Sequence, residues 1–139
     1  MNDYLQDIRQ FLLDNNYTNI TIDGFVVNTP NSSSSNWAAI DIQGEPGISE
    51  QESPLTKVFF GIYVKANTTS ETRKTAYSIR NLLNNKRGTL VATGSPVLFH
   101  HIICEQEPYF WSQSQNGQAV YLVRFSGVIN NNDTNSIYY

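Results

Sequence analysis

Apolar side chains recur along the chain with two different periods, and the switches between them mark out its elements. Leu5, Ile8, Phe11 and Leu12 fall at three- and four-residue spacing opposite Gln6, Arg9 and Gln10. That is the stripe of an amphipathic helix, capped by Asn2 or Asp3 and stopped near Asn15 and Asn16. Residues 20–27, interrupted by Asp23 and Gly24, read as a first strand or a strand with a bulge. Thr29-Pro30-Asn31 and the serines at 32–35 make a turn or loop, and 37–42 a second short strand. The run Lys57-Val58-Phe59-Phe60-Gly61-Ile62-Tyr63-Val64-Lys65 is almost continuously apolar between two lysines. A half-exposed strand would alternate, so this one is expected to be covered on both faces.

A helix over 68–87 follows at once. Thr68 can accept from the Glu71 backbone N–H while the Glu71 side chain returns to the Thr68 N–H, and Gly88 supplies a left-handed stop. Thr72, Ala76, Ile79, Leu82 and Leu83 form its buried stripe. Arg73, Lys74, Arg80, Lys86 and Arg87 face solvent or a partner, a cationic face with Glu71 as the only acid in the helix. Residues 97–105 read as a fourth strand and 118–129 as a long fifth one. In the latter Tyr121, Val123, Phe125 and Gly127 share one face, and Val120, Leu122, Arg124, Ser126 and Val128 the other. Pro108-Tyr109-Phe110-Trp111 connects the two strands and ends in the turn Gln115-Asn116-Gly117, which makes an antiparallel hairpin. The chain of 139 residues has room for one ordinary core. The expected fold is therefore a single α+β domain over 1–129, a mostly antiparallel sheet of about five strands with two main helices packed on it, followed by a tail at 130–139. No internal repeat is present.

Two segments do not belong to this periodic pattern. Residues 43–54 contain the breakers Gly44, Pro46, Gly47 and Pro54, and their charged residues are Glu45, Glu50 and Glu52 with no basic partner. A loop of that length is either a contact element or simply mobile. The tail is polar until Ile137-Tyr138-Tyr139, which either dock on a neighbour or fray.

Composition narrows the function. Charged residues make up 15% of the chain, against about a quarter in ordinary domains, so copies repel each other weakly. A net charge of −3 opposes any role in coating nucleic acid, which needs an excess of Lys and Arg. With Cys104 as the only cysteine no intrachain disulfide can form, and folding in the cytoplasm fits best. The first residues lack a signal-peptide pattern and no apolar run reaches the roughly 18 residues of a membrane span, so the chain reads as soluble and unexported.

Groups capable of catalysis or metal binding are scarce. His100, His101, Cys104 and Glu105 are close in sequence, but strand alternation puts the two histidines on opposite faces. His100 and Cys104 then share a face roughly 13 Å apart, too far to bind one zinc without distant ligands. Glu105 and Glu107 flank a strand end beside a proline, and Asp41 has no acid partner. Phosphate-binding loops, nucleophile elbows and zinc-protease helices have no counterpart in the sequence. The expectation is no catalytic residue, no metal and no cofactor. For nucleic acid the best patch is Arg73, Lys74 and Arg80 with Tyr77, which a solvated helix face explains more simply.

The order of elements resembles that of the small tail terminator (tail completion) proteins of long-tailed bacteriophages. The likeness spans most of the chain. It is carried by Val58-Phe59-Phe60-Gly61-Ile62-Tyr63-Val64 leading into Ser70-Glu71-Thr72-Arg73-Lys74-Thr75-Ala76-Tyr77-Ser78-Ile79-Arg80-Asn81-Leu82-Leu83, and by Pro108-Tyr109-Phe110-Trp111 leading to Val120-Tyr121-Leu122-Val123-Arg124-Phe125-Ser126-Gly127. These are patterns and not diagnostic motifs. The resemblance implies a non-enzymatic homo-oligomeric ring, typically a hexamer. Such a ring binds the major tail tube protein, stops tube growth and offers a surface to the head completion or connector protein. It sits at the head-proximal end of the tail in the virion after assembly in the host cytoplasm, lets DNA pass without sequence-specific binding, and touches no membrane. Subunit or partner contacts would involve Glu45, Glu50 and Glu52, a cationic face of Arg73, Lys74 and Arg80, and Tyr138 and Tyr139. The pattern also fits another head-to-tail connector or minor capsid protein. Outside that class stand a small ligand-binding module with His100, Tyr109 and Trp111 lining a pocket, and a nucleic-acid-binding accessory protein.

Overall fold

Both helices lie on one face of a six-stranded sheet in the computed structural model, which describes residues 4–22, 37–42, 55–92, 96–113 and 118–130. Helix α1 (Tyr4–Asp14) buries Leu5, Ile8 and Leu12 of the predicted stripe, and its Phe11 is partly buried. It ends as Asn16 takes φ 76°, a left-handed conformation that Asn tolerates better than most residues. The proposed caps Asn2 and Asp3 lie outside the described residues. Strands β1 (Ile20–Ile22), β2 (Trp37–Ile42) and β3 (Leu55–Lys65) precede helix α2 (Thr69–Leu83). Then come β4 (Gly88–Thr89), β5 (Leu98–Gln113) and β6 (Ala119–Asn130). The sheet order is β1-β2-β3-β6-β5-β4, with β1 parallel to β2 and every other pair antiparallel. The fold is α+β with two helices, as expected, on a mixed sheet of six strands where about five were expected.

Register explains the doubly apolar central strand. β3 lies between β2 and β6, and its Val58, Phe60, Ile62 and Val64 point to the helices together with Ala38, Ile40, Tyr121, Val123 and Phe125. Phe60 and Phe125 stack at 5.2 Å in the middle of this core. On the face away from the helices Ala39 and Val120 are packed by Tyr63 and Trp111, and Leu122 is fully buried. That face opens toward the other end of the strands, where Lys57 is exposed and Phe59 half-buried.

Three expectations need correction. Helix α2 ends at Leu83, short of the predicted 87, because the following backbone is captured by β5. The Asn85 N–H donates to Ile102 O, the Ile102 N–H to Lys86 O, and the Cys104 N–H to Asn84 Oδ1 at 2.8 Å. Asn85, at φ 68°, makes the left-handed turn that follows the helix, while Gly88 also takes the expected positive φ, 93°, but at the start of β4 and not as the helix stop. Second, Pro108-Tyr109-Phe110-Trp111 is not a connection but the second half of β5. Third, register shifts between Phe99 and His101 and between Cys104 and Tyr109 break simple alternation, so that Phe99 and Ile102 both face the helices.

Candidate functional site

The solvent side of α2 meets β5 and β6, and this junction brings together Arg73, Lys74, Tyr77, Arg80 and Phe110. Its geometry starts at the β3–α2 turn. Thr68 Oγ1 accepts from the Glu71 N–H at 3.1 Å, the forward half of the predicted capping box. The buried Thr72 hydroxyl accepts from the Ala66 N–H at 2.8 Å and donates to Thr68 O at 2.9 Å, tying the helix start to the end of β3. With the helix fixed in this way, Arg73 reaches across to β6. Its Nε–H donates to the Tyr121 hydroxyl at 3.4 Å, and its guanidinium lies 5.9 Å from the ring centroid. Two turns on, Arg80 forms a 2.8 Å ion pair with Glu107 of β5. That bond holds the guanidinium further into its charged form.

Between these two anchors the surface is apolar and open. Tyr77 is 40% exposed and Phe110 51%, and the Phe110 ring stands edge-on to Tyr121 at 6.3 Å. Lys74 points to solvent beside them. The predicted cationic triad is thus divided. Arg73 and Arg80 are engaged with groups of their own sheet, and Lys74 is the outward charge. Lys86 is half-buried with its ammonium 5.3 Å from the Phe11 ring, outside the helix in which it was placed. Phe110, Tyr121 and Glu107 are the members that the sequence reading did not assign to this face. Proline at 108 hid the strand that carries two of them. Glu45, Glu50, Glu52, Tyr138 and Tyr139 lie outside the described residues.

The histidine and cysteine cluster disperses. His101 faces Val128 on the helix-free side of the sheet, Cys104 faces Phe125 on the helix side, and His100 is exposed at the bulge. His101 and Cys104 thus lie on opposite faces of the sheet. Among the described residues no group of three or more His, Cys, Asp or Glu is arranged to hold a metal ion. Burial pushes the Cys104 thiol above its ordinary pKa, against the opposing pull of the Arg80 contact. Its sulfur lies 3.3 Å from Gln106 O.

Two of the three residues proposed to line a ligand pocket pack on neighbours of their own. Tyr109 carries the Arg124 guanidinium 6.0 Å from its ring centroid, and Trp111 packs edge-on against Tyr63 at 4.7 Å. A cavity of about 140 Å³ lies elsewhere, between α2 and the strand ends, lined by Tyr17, Thr18, Ala38, Val64 and Thr75 among others. Ligand sites for small molecules usually enclose about 300–1,000 Å³. Among the described residues no helix is long and apolar enough to cross a membrane. The chain matches no protein-family model and no curated protein sequence.

Proposed function

We propose that this chain is a non-enzymatic subunit of a homo-oligomeric ring, a tail terminator that caps the tail tube of a long-tailed bacteriophage and presents a surface for head attachment. The observation that carries the self-assembly part is the α2–β5 patch. Tyr77 and Phe110, each 40% or more exposed, are flanked by Arg73 and Lys74 on a helix and hairpin that packing holds in place. Aromatic residues and arginine are enriched at the centres of protein interfaces, where a few of them dominate the binding energy. The phage assignment itself rests on the order of elements and the sequence patterns given above, and the hexamer is the stoichiometry that this resemblance implies.

In this reading the acidic residues Glu45, Glu50 and Glu52 of one subunit meet the cationic side of the next at Arg73 and Lys74. Arg80, paired internally with Glu107, contributes little to that contact. Partners are the major tail tube protein and a head completion protein, and DNA passes through the ring without base-specific contacts. Native mass measurement with electron microscopy, in the presence and absence of tube protein, tests the proposal. Rings that bind and terminate tubes support it. Rings that ignore tubes favour a different head-to-tail connector or a capsid component.

A further inference from the structure

Large apolar side chains stand exposed at six of the described positions, and they fall into three groups. Tyr77 and Phe110 belong to the α2–β5 patch, and Leu55, Leu98 and Ile103 lie at one end of the helix-free face. Ile42, 47% exposed, stands apart from both at the end of β2. Register builds its corner. β1 pairs with β2 only as far as Ile22 opposite Ile40, so Asp41 and Ile42 run past the last β1 residue. The Ala38 N–H donates to Asn19 O on the β1 side, and alternation aims the Ile42 N–H the same way. Asp41 Oδ1 accepts that N–H at 2.9 Å. The two side chains leave opposite faces of β2, and this bond brings the carboxylate back to the edge beside Ile42.

Asp41 has no cation of its own among the described residues. Arg124 shares its cross-strand row on the far side of Gly61, but that guanidinium is drawn to Tyr109 of β5, 6.0 Å from the ring centroid. The ion pair recorded among the described residues joins Arg80 to Glu107. The α2–β5 patch has the opposite imbalance. Lys74 is exposed and the Arg73 guanidinium lies over Tyr121, and neither meets a carboxylate among the described residues.

We propose that the Asp41-Ile42 corner of one copy seats on the α2–β5 patch of the next, with Ile42 against Tyr77 and Phe110 and Asp41 toward Lys74. The inference rests on the ring reading above and names the contact that joins neighbouring subunits. Charge selects this pairing from the alternatives. A patch set against its own copy would bring two cationic surfaces together, which costs binding energy. The end of the helix-free face carries both signs, exposed Lys57 and Glu105, and so offers no net complement. The β2 corner alone joins an exposed aliphatic side chain to an anion that lacks a cation. Topology agrees. β2 and β5 are each second from opposite edges of the sheet, so joining them is head-to-tail, the kind of contact that closes rings and not two-fold dimers.

Native mass spectrometry of full-length variants, with tail tube protein present, tests the contact. Ile42→Asp and Lys74→Glu should each weaken assembly about tenfold, and adding Asp41→Lys to Lys74→Glu should restore it to within about threefold. Glu45, Glu50 and Glu52 stay in place throughout, so the rescue is specific to Asp41. Chains carrying Ile42→Asp and chains carrying Tyr77→Ala with Phe110→Ala each keep one half of the contact. Mixed, they should form one-to-one pairs and no rings. These mixtures decide the matter even where Asp41→Lys fails to fold. Assembly of Ile42→Asp like that of the unsubstituted chain, absence of pairs in the mixture, or a folded double variant without rescue overturns the contact and leaves the ring standing. An unsubstituted chain that stays monomeric overturns both.

Discussion

Single side chains in this protein act chiefly by satisfying backbone groups at junctions, and Thr72 is the clearest case. Its hydroxyl bonds both Ala66 and Thr68, and the residue is fully buried. Thr72→Val keeps the shape and leaves the Ala66 N–H unpaired in the interior, so chemical denaturation should show a loss of about 1–3 kcal/mol. The sequence reading placed Thr72 in the buried stripe, but a hydroxyl among apolar residues does not reveal which backbone group it serves. Gly127 acts through the side chain it lacks. A Cβ there would stand 3.2 Å from Phe99 Cε1 and 3.7 Å from Val58 Cγ2, so Gly127→Ala should cost about 1–3 kcal/mol by overpacking. Alternation correctly put Gly127 on the face of Phe125, and the need for its missing side chain became visible only with Phe99 in place.

Cys104 gives a pH prediction at the same scale. Burial raises its pKa, so the native state retains the thiol proton more tightly than the unfolded chain does. That contribution to stability is complete below the unfolded thiol pKa and is lost as pH rises through the raised native value. Thiol reagents should therefore modify native Cys104 more slowly than the unfolded chain near neutral pH, with a pH–rate profile displaced to the alkaline side. Equal alkylation rates in the two states would contradict a half-buried thiol whose pKa burial raises.

Elements were legible where one period ran without interruption. The first helix, 37–42, the central strand and the last strand stand within two residues of where the pattern put them. The end of α2 is misread because tertiary hydrogen bonds replace a local signal. Gly88 looked like the stop of α2, yet the helix ends where Asn84, Asn85 and Lys86 bond to β5 instead of continuing. This makes Asn85 a test position. Asn85→Gly should be neutral or slightly stabilising at φ 68°, whereas Asn85→Val should cost about 1–2 kcal/mol, measured by urea unfolding. β5 escaped notice beyond Glu105 because Pro108 reads as a breaker. Prolines and bulges are common at sheet edges, and β4 covers only the first residues of this strand, leaving it at the edge along Pro108. The proposed interface patch is half legible in the sequence: helix period places Arg73, Lys74 and Tyr77 together, while Pro108 makes Phe110 read as part of a connection.

At the scale of the whole molecule, the proposed ring would bury the exposed Tyr77 of α2 and Phe110 of β5 against a second copy, and the low share of charged residues limits repulsion between copies. Interface energy concentrates in a few aromatic and arginine side chains, and exposed charge pairs add little. Tyr77→Ala with Phe110→Ala should therefore dissociate the assembly while changing the thermal midpoint of the subunit little. Glu45→Gln, Glu50→Gln and Glu52→Gln together should weaken assembly mainly at low salt. The most direct measurement is native mass spectrometry of the intact protein over a wide concentration range, with and without tail tube protein. The expected result is a closed ring of defined stoichiometry that associates with the tube and is lost in the Tyr77→Ala, Phe110→Ala variant. A protein that stays monomeric under every condition, tube protein included, would contradict it.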